Sequence, residues 1–246
     1  QFGLPISSGS IYNFNKEIYN KLAPFEDWIK RELTKAQLLH ADETGINIGG
    51  KRHWLHVACN KTLTWLMPHS KRGGKAIEAM GVLPNFSGRL VHDHWKPYYN
   101  LSCEHVLCNA HHIRELERAW EQDGQKWAKE MQNLLLEINK AVDTAGGRLN
   151  SSEENIFREQ YRQWLKGGEI ESPPPNESER KPGQRGRLKR SKARNLLERL
   201  INYEQDVLRF MVEEEVPFTN NQGERDLRMV KVQQKISGCF RSEKGV

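Results

Sequence analysis

The chain has 246 residues, 37% of them hydrophobic, and a formal net charge of +6. That length allows one sizeable core with an attached lobe, or two small domains. No apolar run approaches the roughly 18 residues of a membrane span, and four dispersed cysteines at 59, 103, 108 and 239 exclude a dense secreted disulfide framework and place the protein in the cytoplasm.

The first residues, "QFGLPISSGSIYN", lack an initiator Met and a signal-peptide pattern, and read as the start of a fragment whose upstream part is missing. Residues 8–36 carry apolar side chains at helical spacing, with Ser8 or Ser10 as cap and Pro24 in an early turn of a second helix. Residues 1–36 form a linker or packing region. A strand is expected over 37–42, then a hairpin from "HWLHVACN" and "TLTWLMP" across Asn60-Lys61. A short helix follows over 73–83, and strands over 88–95 and 104–108. Asn109 is a candidate cap for the helix after them. Residues 37–112 therefore read as the first part of a mixed sheet with helices on it, an α/β fold.

From 113 to about 143 the pattern predicts one long helix, with Trp127, Met131, Leu134, Leu135 and Ile138 as its stripe. Two more helices are expected over 152–168 and 193–214, with a loop near 171–192 between them. Residues 180–199 hold nine Arg or Lys against one Glu, so the rest of the chain sums to −2. That tract points to an anionic polymer as partner, and a solvated flexible loop is the competing reading. The block 113–215 reads as an all-helical insertion. Residues 216–246 return to the core with a last helix stopped by Gly238.

Asp42 ends the first strand, in "LLHADETG", and Asp93 ends another, in "VHDHW". Glu224 lies in the first turn of the last helix. Three carboxylates at element edges are the hard oxygen donors that Mg²⁺ takes. Paired ions can activate a nucleophile and stabilise a leaving oxygen on phosphorus. Each acid has a plainer reading. Asp42 and Glu43 suit a turn, Asp93 a surface strand end, and Glu224 a capping box with Asn221. Arg228 and Lys231 follow Glu224 at +4 and +7, on one helical face that could reach DNA phosphates or make ordinary helix pairs. Cys103, Cys108, His111 and His112 have zinc-compatible chemistry, but a buried thiol is the commoner outcome. His92 and His94 read as structural. Trp95 and Tyr98 suit base stacking or packing.

The segments "LLHADETG", "GKRHWLHVACN", "RLVHDHWKPYY", "CEHVLCNAHHIRELE", "PPPNESERKPGQRGRLKRSKARNLLERL" and "VPFTNNQGERDLRMVKVQQKISGCFRS" closely resemble the catalytic domain of insertion-sequence-66-type transposases. The resemblance covers nearly the whole chain. It implies a ribonuclease-H-like fold interrupted by a helical insertion, and a DDE-type enzyme. Asp42, Asp93 and Glu224 then fall on the family's catalytic and metal-holding acids, with two Mg²⁺ or Mn²⁺ ions as cofactor. Lys231 and His111 take supporting roles near the site. Arg185, Arg187, Lys189, Arg190, Arg228 and Lys231 are the expected DNA contacts. The activity implied is cleavage at transposon ends and strand transfer into target DNA. The partners are DNA and further copies of the chain, as a dimer or higher assembly on DNA, with an upstream DNA-binding region absent here. A departure from the family pattern is Gly223, where a bulkier apolar residue such as Ala is expected. An inactive DNA-binding derivative, or a nuclease or resolvase of the same fold, are the alternative functions.

Overall fold

The computed structural model describes residues 3, 5–176, 178, 180, 183 and 185–243. Among these the chain is mixed α/β, with five strands and eight α-helices. It divides into two compact units. One comprises residues 1–88, 99–103 and 222–246, the other residues 89–98 and 104–221.

The first unit opens with α1 (Ser8–Thr34), capped by Ser7, whose Oγ accepts the Ser10 N–H at 3.0 Å. Pro24 lies inside this helix and does not open a second one, a correction to the sequence reading. Proline removes one backbone donor, but helical sequence on both sides carries the helix past it. Its last turns are anchored: Leu33 is buried, and Lys30 Nζ sits 4.3 Å from the Trp65 ring centroid. Upstream, Ile11, Phe14, Ile18, Leu22 and Phe25 are exposed.

Strands β1 (Leu38–Ile48), β2 (Lys51–Cys59) and β3 (Thr64–His69) form an antiparallel meander. β1 runs six residues beyond Asp42, so this acid is in mid-strand and not at a strand end. The reason is the turn. Gly49 and Gly50 have φ of +56° and +79°, as a two-residue hairpin turn requires, and β1 pairs with β2 right up to it. The second hairpin turn is closed by Asn60, whose Oδ1 accepts the N–H groups of Thr62 and Leu63 at 2.9 and 2.8 Å. Helix α2 (Gly74–Met80) follows, buries Ala76, Ile77 and Met80, and stops at the left-handed Gly81.

In the second unit β4 (Arg89–His92) and β5 (Glu104–Leu107) pair in parallel, Val91 opposite Val106. Asp93 directly follows β4. Then come α3 (Asn109–Asp123), α4 (Lys126–Thr144), α5 (Ser151–Glu171), α6 (Lys192–Asn202) and α7 (Glu204–Leu208). The single helix expected over 113–143 is two, because Gly124 adopts φ +67° and ends α3. The helix expected over 193–214 breaks at Tyr203, whose backbone leaves the helical region. Asn109 does not cap α3 but is its first residue. Its Nδ2 donates to Val207 O at 3.0 Å and its Oδ1 accepts from His112 Nδ1 at 2.9 Å, all in the core. α5 is capped by Asn150 and Glu153 in a reciprocal box. It continues through Gly168, where a Cβ would lie 2.7 Å from Leu197 and 3.0 Å from Trp127. Trp127, Met131, Leu135, Tyr161, Leu197 and Leu200 fill this core.

The first unit is completed by α8 (Asn221–Ser237), which ends at Gly238 with φ +77°. Leu227 and Val230 of α8 pack with Ile46, Ile48, Leu55 and Val57 of the meander. No helix among the described residues is long and apolar enough to cross a membrane.

Candidate active site

Strand alternation divides the "ADET" acids. Asp42 shares its face of β1 with Ile46 and Ile48, and stands opposite Val57. That is the face on which α8 packs. Glu43 points to the other face, where its side chain is 1% exposed and is bound by Arg72. Both Arg72 Nε and Nη2 donate to Glu43 Oε1, at 2.9 and 2.6 Å, and the guanidinium lies over the Trp54 ring. Glu43 is thus a neutralised structural acid, and Asp42 alone faces α8.

α8 is held along β1 by polar bonds as well as by its apolar side. Lys231 Nζ donates to Gly45 O at 2.7 Å, and Asn47 N–H donates to Gln234 Oε1 at 3.0 Å. After the helix, Phe240 N–H donates to Asn47 O and Gly49 N–H to Phe240 O. These contacts advance together along both elements, so α8 runs in the direction of β1. Glu224 precedes Lys231 by seven residues, about 10 Å of helix. Thr64, which is tied to Asp226, pairs with Cys59, and Cys59 pairs with His40, so the first turn of α8 crosses the meander at the end of β1 that carries Asp42.

The first turn of α8 has its own tie. Thr64 Oγ1 donates to Asp226 Oδ2 at 2.6 Å, and Gln222 Nε2 donates to the same carboxylate. Burial works against the Asp226 charge, yet the bonds from Thr64 and Gln222 prevail and hold its pKa down. Cys59 lies beside it. Burial, then the negative charges of Asp226 and Asp42, keep Cys59 a neutral thiol. Glu224 itself makes no hydrogen bond or ion pair with another described residue, so the capping-box alternative is not realised. Asp42 and Glu224 are hard oxygen donors, the type that Mg²⁺ or Mn²⁺ takes.

In the second unit Asp93 Oδ1 accepts the Trp95 N–H at 3.1 Å, turning the chain after β4. His92 is buried against His105 and Tyr98. Burial, then the positive charge of His105, depress its pKa well below the ordinary value. Tyr98 is buried too, which rules it out as a base-stacking surface. Cys108 Sγ and a ring nitrogen of His111 lie within 4.8 Å, and His111 Nδ1 is buried without a partner among the described residues. Cys108 Sγ takes the Asn220 N–H at 3.1 Å. His112 is committed to Asn109 in the core, so the four-residue zinc set is not assembled from it.

Residues 1–246 match the family described as Transposase IS66 family. The chain belongs to that family. No curated protein matches it. Among solved structures it is similar to a chain in the cryo-EM structure of the simian T-cell lymphotropic virus intasome in complex with PP2A regulatory subunit B56 gamma. The identity is 13% and the TM-score 0.25, over 61% of this chain and 60% of that one.

The basic residues considered for DNA contact fall into two groups. On α8, Arg228, Lys231 and Lys235 line a shallow concavity of about 450 Å³. They share the helical side of Glu224. Lys231 also serves the fold through Gly45. In the tract before α6, Lys181, Pro182 and Gln184 lie outside the described residues. Arg187 and Arg190 both bond to Glu198, whereas Arg185 and Lys189 make no ion pair among the described residues. Two residues with clear structural roles went unnoticed in the sequence, Arg72 and Asp226. Neither has a local signal, because the partner of each is 29 or 162 residues away.

Proposed function

We propose that this chain is the ribonuclease-H-like catalytic core of a DDE-type transposase, which cuts DNA at transposon ends and joins the freed 3′-hydroxyl to target DNA. The observation that carries this reading is the docking of α8 on the face of the meander that bears Asp42, with the first turn of α8, which holds Glu224, tied at Thr64. The order of elements, an antiparallel meander followed by a parallel pair with Asp93 just after its first strand, agrees with it. In this reading Asp42, Asp93 and Glu224 converge, and the helices between β5 and α8 are an insertion between the second and third acids.

Asp42, Asp93 and Glu224 would hold two divalent cations, which supply activation of the attacking oxygen and stabilisation of the leaving oxygen on phosphorus. The protein contributes a rigid platform. Asp42 is fixed in a paired strand, and Glu224 on a helix tied at Thr64, Gly45 and Asn47. Arg228 and Lys235 attract the phosphates flanking the scissile bond. His111 stands in support, as a half-buried imidazole with an unfilled ring nitrogen.

The test is strand cleavage and joining by the full-length transposase on its own end sequences with Mg²⁺. Asp42→Asn keeps the side-chain shape and removes the charge. Cleavage and joining should fall by several orders of magnitude while thermal unfolding without metal is unchanged or slightly raised, because like charges repel in the empty cleft. Near-normal cleavage by the folded variant would refute the assignment.

A further inference from the structure

The second unit contains a cleft of about 590 Å³ that the catalytic reading does not use. Its walls are α3 and α6. On α6, Lys192, Asn195 and Arg199 recur at helical spacing on one side, next to the buried Leu196. On α3, Glu115 and Arg118 face them. The mouth is formed by Lys96 and His94, the residue right after Asp93, with the His94 and Tyr203 rings edge to face at 4.6 Å. His94 holds φ at +61°, the one described residue other than glycine with positive φ, a strained conformation characteristic of functional sites.

The charges in this cleft are unequal. Glu115 is bound by Arg199, and Glu198 by Arg187, Arg190 and Arg194. Arg118 is held by Asp123 at 2.6 Å. Lys96 and Lys192 are exposed and have no carboxylate partner among the described residues. The cleft is therefore cationic, with an aromatic side. Its volume suits a small ligand, and a duplex, whose major groove alone is about 12 Å wide, does not enter it.

We propose that this cleft binds an unpaired nucleotide segment of the DNA strand passing Asp93, with phosphates on Lys96 and Lys192 and a base against Tyr203. Stacking on an aromatic ring tolerates any base, and lysines on the rim bind phosphates without reading sequence. The position next to Asp93 rests on the catalytic reading. The binding itself does not, since it needs no metal.

The test is fluorescence anisotropy of the 246-residue chain in EDTA, with blunt duplex and with the same duplex carrying a three-nucleotide flap. The flapped DNA should bind about fivefold tighter or better. Lys96→Gln with Lys192→Gln should abolish that preference and reduce the slope of log affinity against log salt by about 1.4, the value for two single-strand phosphates. Tyr203→Leu should remove the preference with the salt slope intact, a split that a merely structural role would not produce. Thermal unfolding verifies that each variant is folded. Equal affinity of the wild type for both DNAs overturns the proposal, as does a folded lysine variant with an unchanged slope. A polyglutamate peptide that displaces the flap at equal charge concentration would overturn it in favour of an acidic protein partner. Failure of metal-dependent cleavage would leave all these readings intact, so the two hypotheses fail separately.

Discussion

Arg72 is what allows Glu43 to sit inside the first unit. The carboxylate has almost no water, and Arg72, itself 42% exposed, gives it two hydrogen bonds. Arg72→Ala should remove this guanidinium from a buried carboxylate, while the lost arginine was already partly solvated. The cost should be about 3 kcal/mol, toward the lower end for a broken buried pair, and a urea titration of the variant measures it. Asp226 acts through position. Asp226→Ala frees Thr64 and loosens the first turn of α8, so cleavage should fall more than stability, which loses roughly 1.5–3 kcal/mol for a charged hydrogen bond. Comparing the cleavage rate with the urea midpoint distinguishes this from a purely structural role, which would lower stability alone.

At the scale of elements, the docking of α8 is the decisive event. Leu227 is the buried knob between this helix and the meander. Leu227→Ala should destabilise the chain by about 2–4 kcal/mol, and hydrogen exchange should show α8 losing protection before the strands do. In the helical unit, Gly168 is where α5 closes on α4 and α6. Gly168→Ala is favourable by helix propensity, yet its Cβ would meet Leu197 and Trp127. Overpacking should win, with a loss of about 1–3 kcal/mol in calorimetry. A stabilised variant would show that these helices part easily.

For the whole molecule, the buried histidines set the pH response. His56 and His94 are brought down to about 4, and His92 and His112 well below the ordinary value, in each case first by burial. Their unfolded-state pKa is about 6.5. Between pH 4 and 6.5 the unfolded chain therefore binds more protons at these sites, so stability is lost on acidification through that window. Asp206 opposes this. Burial raises it to about 6, so it favours the folded state as pH falls from 6 toward 4. Four histidines outweigh one carboxyl, and the melting temperature should drop as pH is lowered from 7 to 4.5. A flat profile would mean that the histidines reach water.

The sequence by itself determined the succession of strands and helices, the hairpin at Asn60, the stop at Gly238 and the family. These follow from local periodicity, turn chemistry and motif order. It also carried an unused signal: Gly49-Gly50 is a hairpin turn in its own right, and it extends β1 well past Asp42. Local pattern failed where one side chain or one backbone angle interrupts a regular stripe, at Pro24, Gly124 and Tyr203. Only the tertiary structure decided which of two adjacent acids is structural. Alternation sends Asp42 and Glu43 to opposite faces, but the sequence does not say which face receives α8 and which receives Arg72. That choice depends on packing between residues far apart in the chain, where burial of Leu227 and the bonds of Lys231 and Gln234 select one side of the sheet.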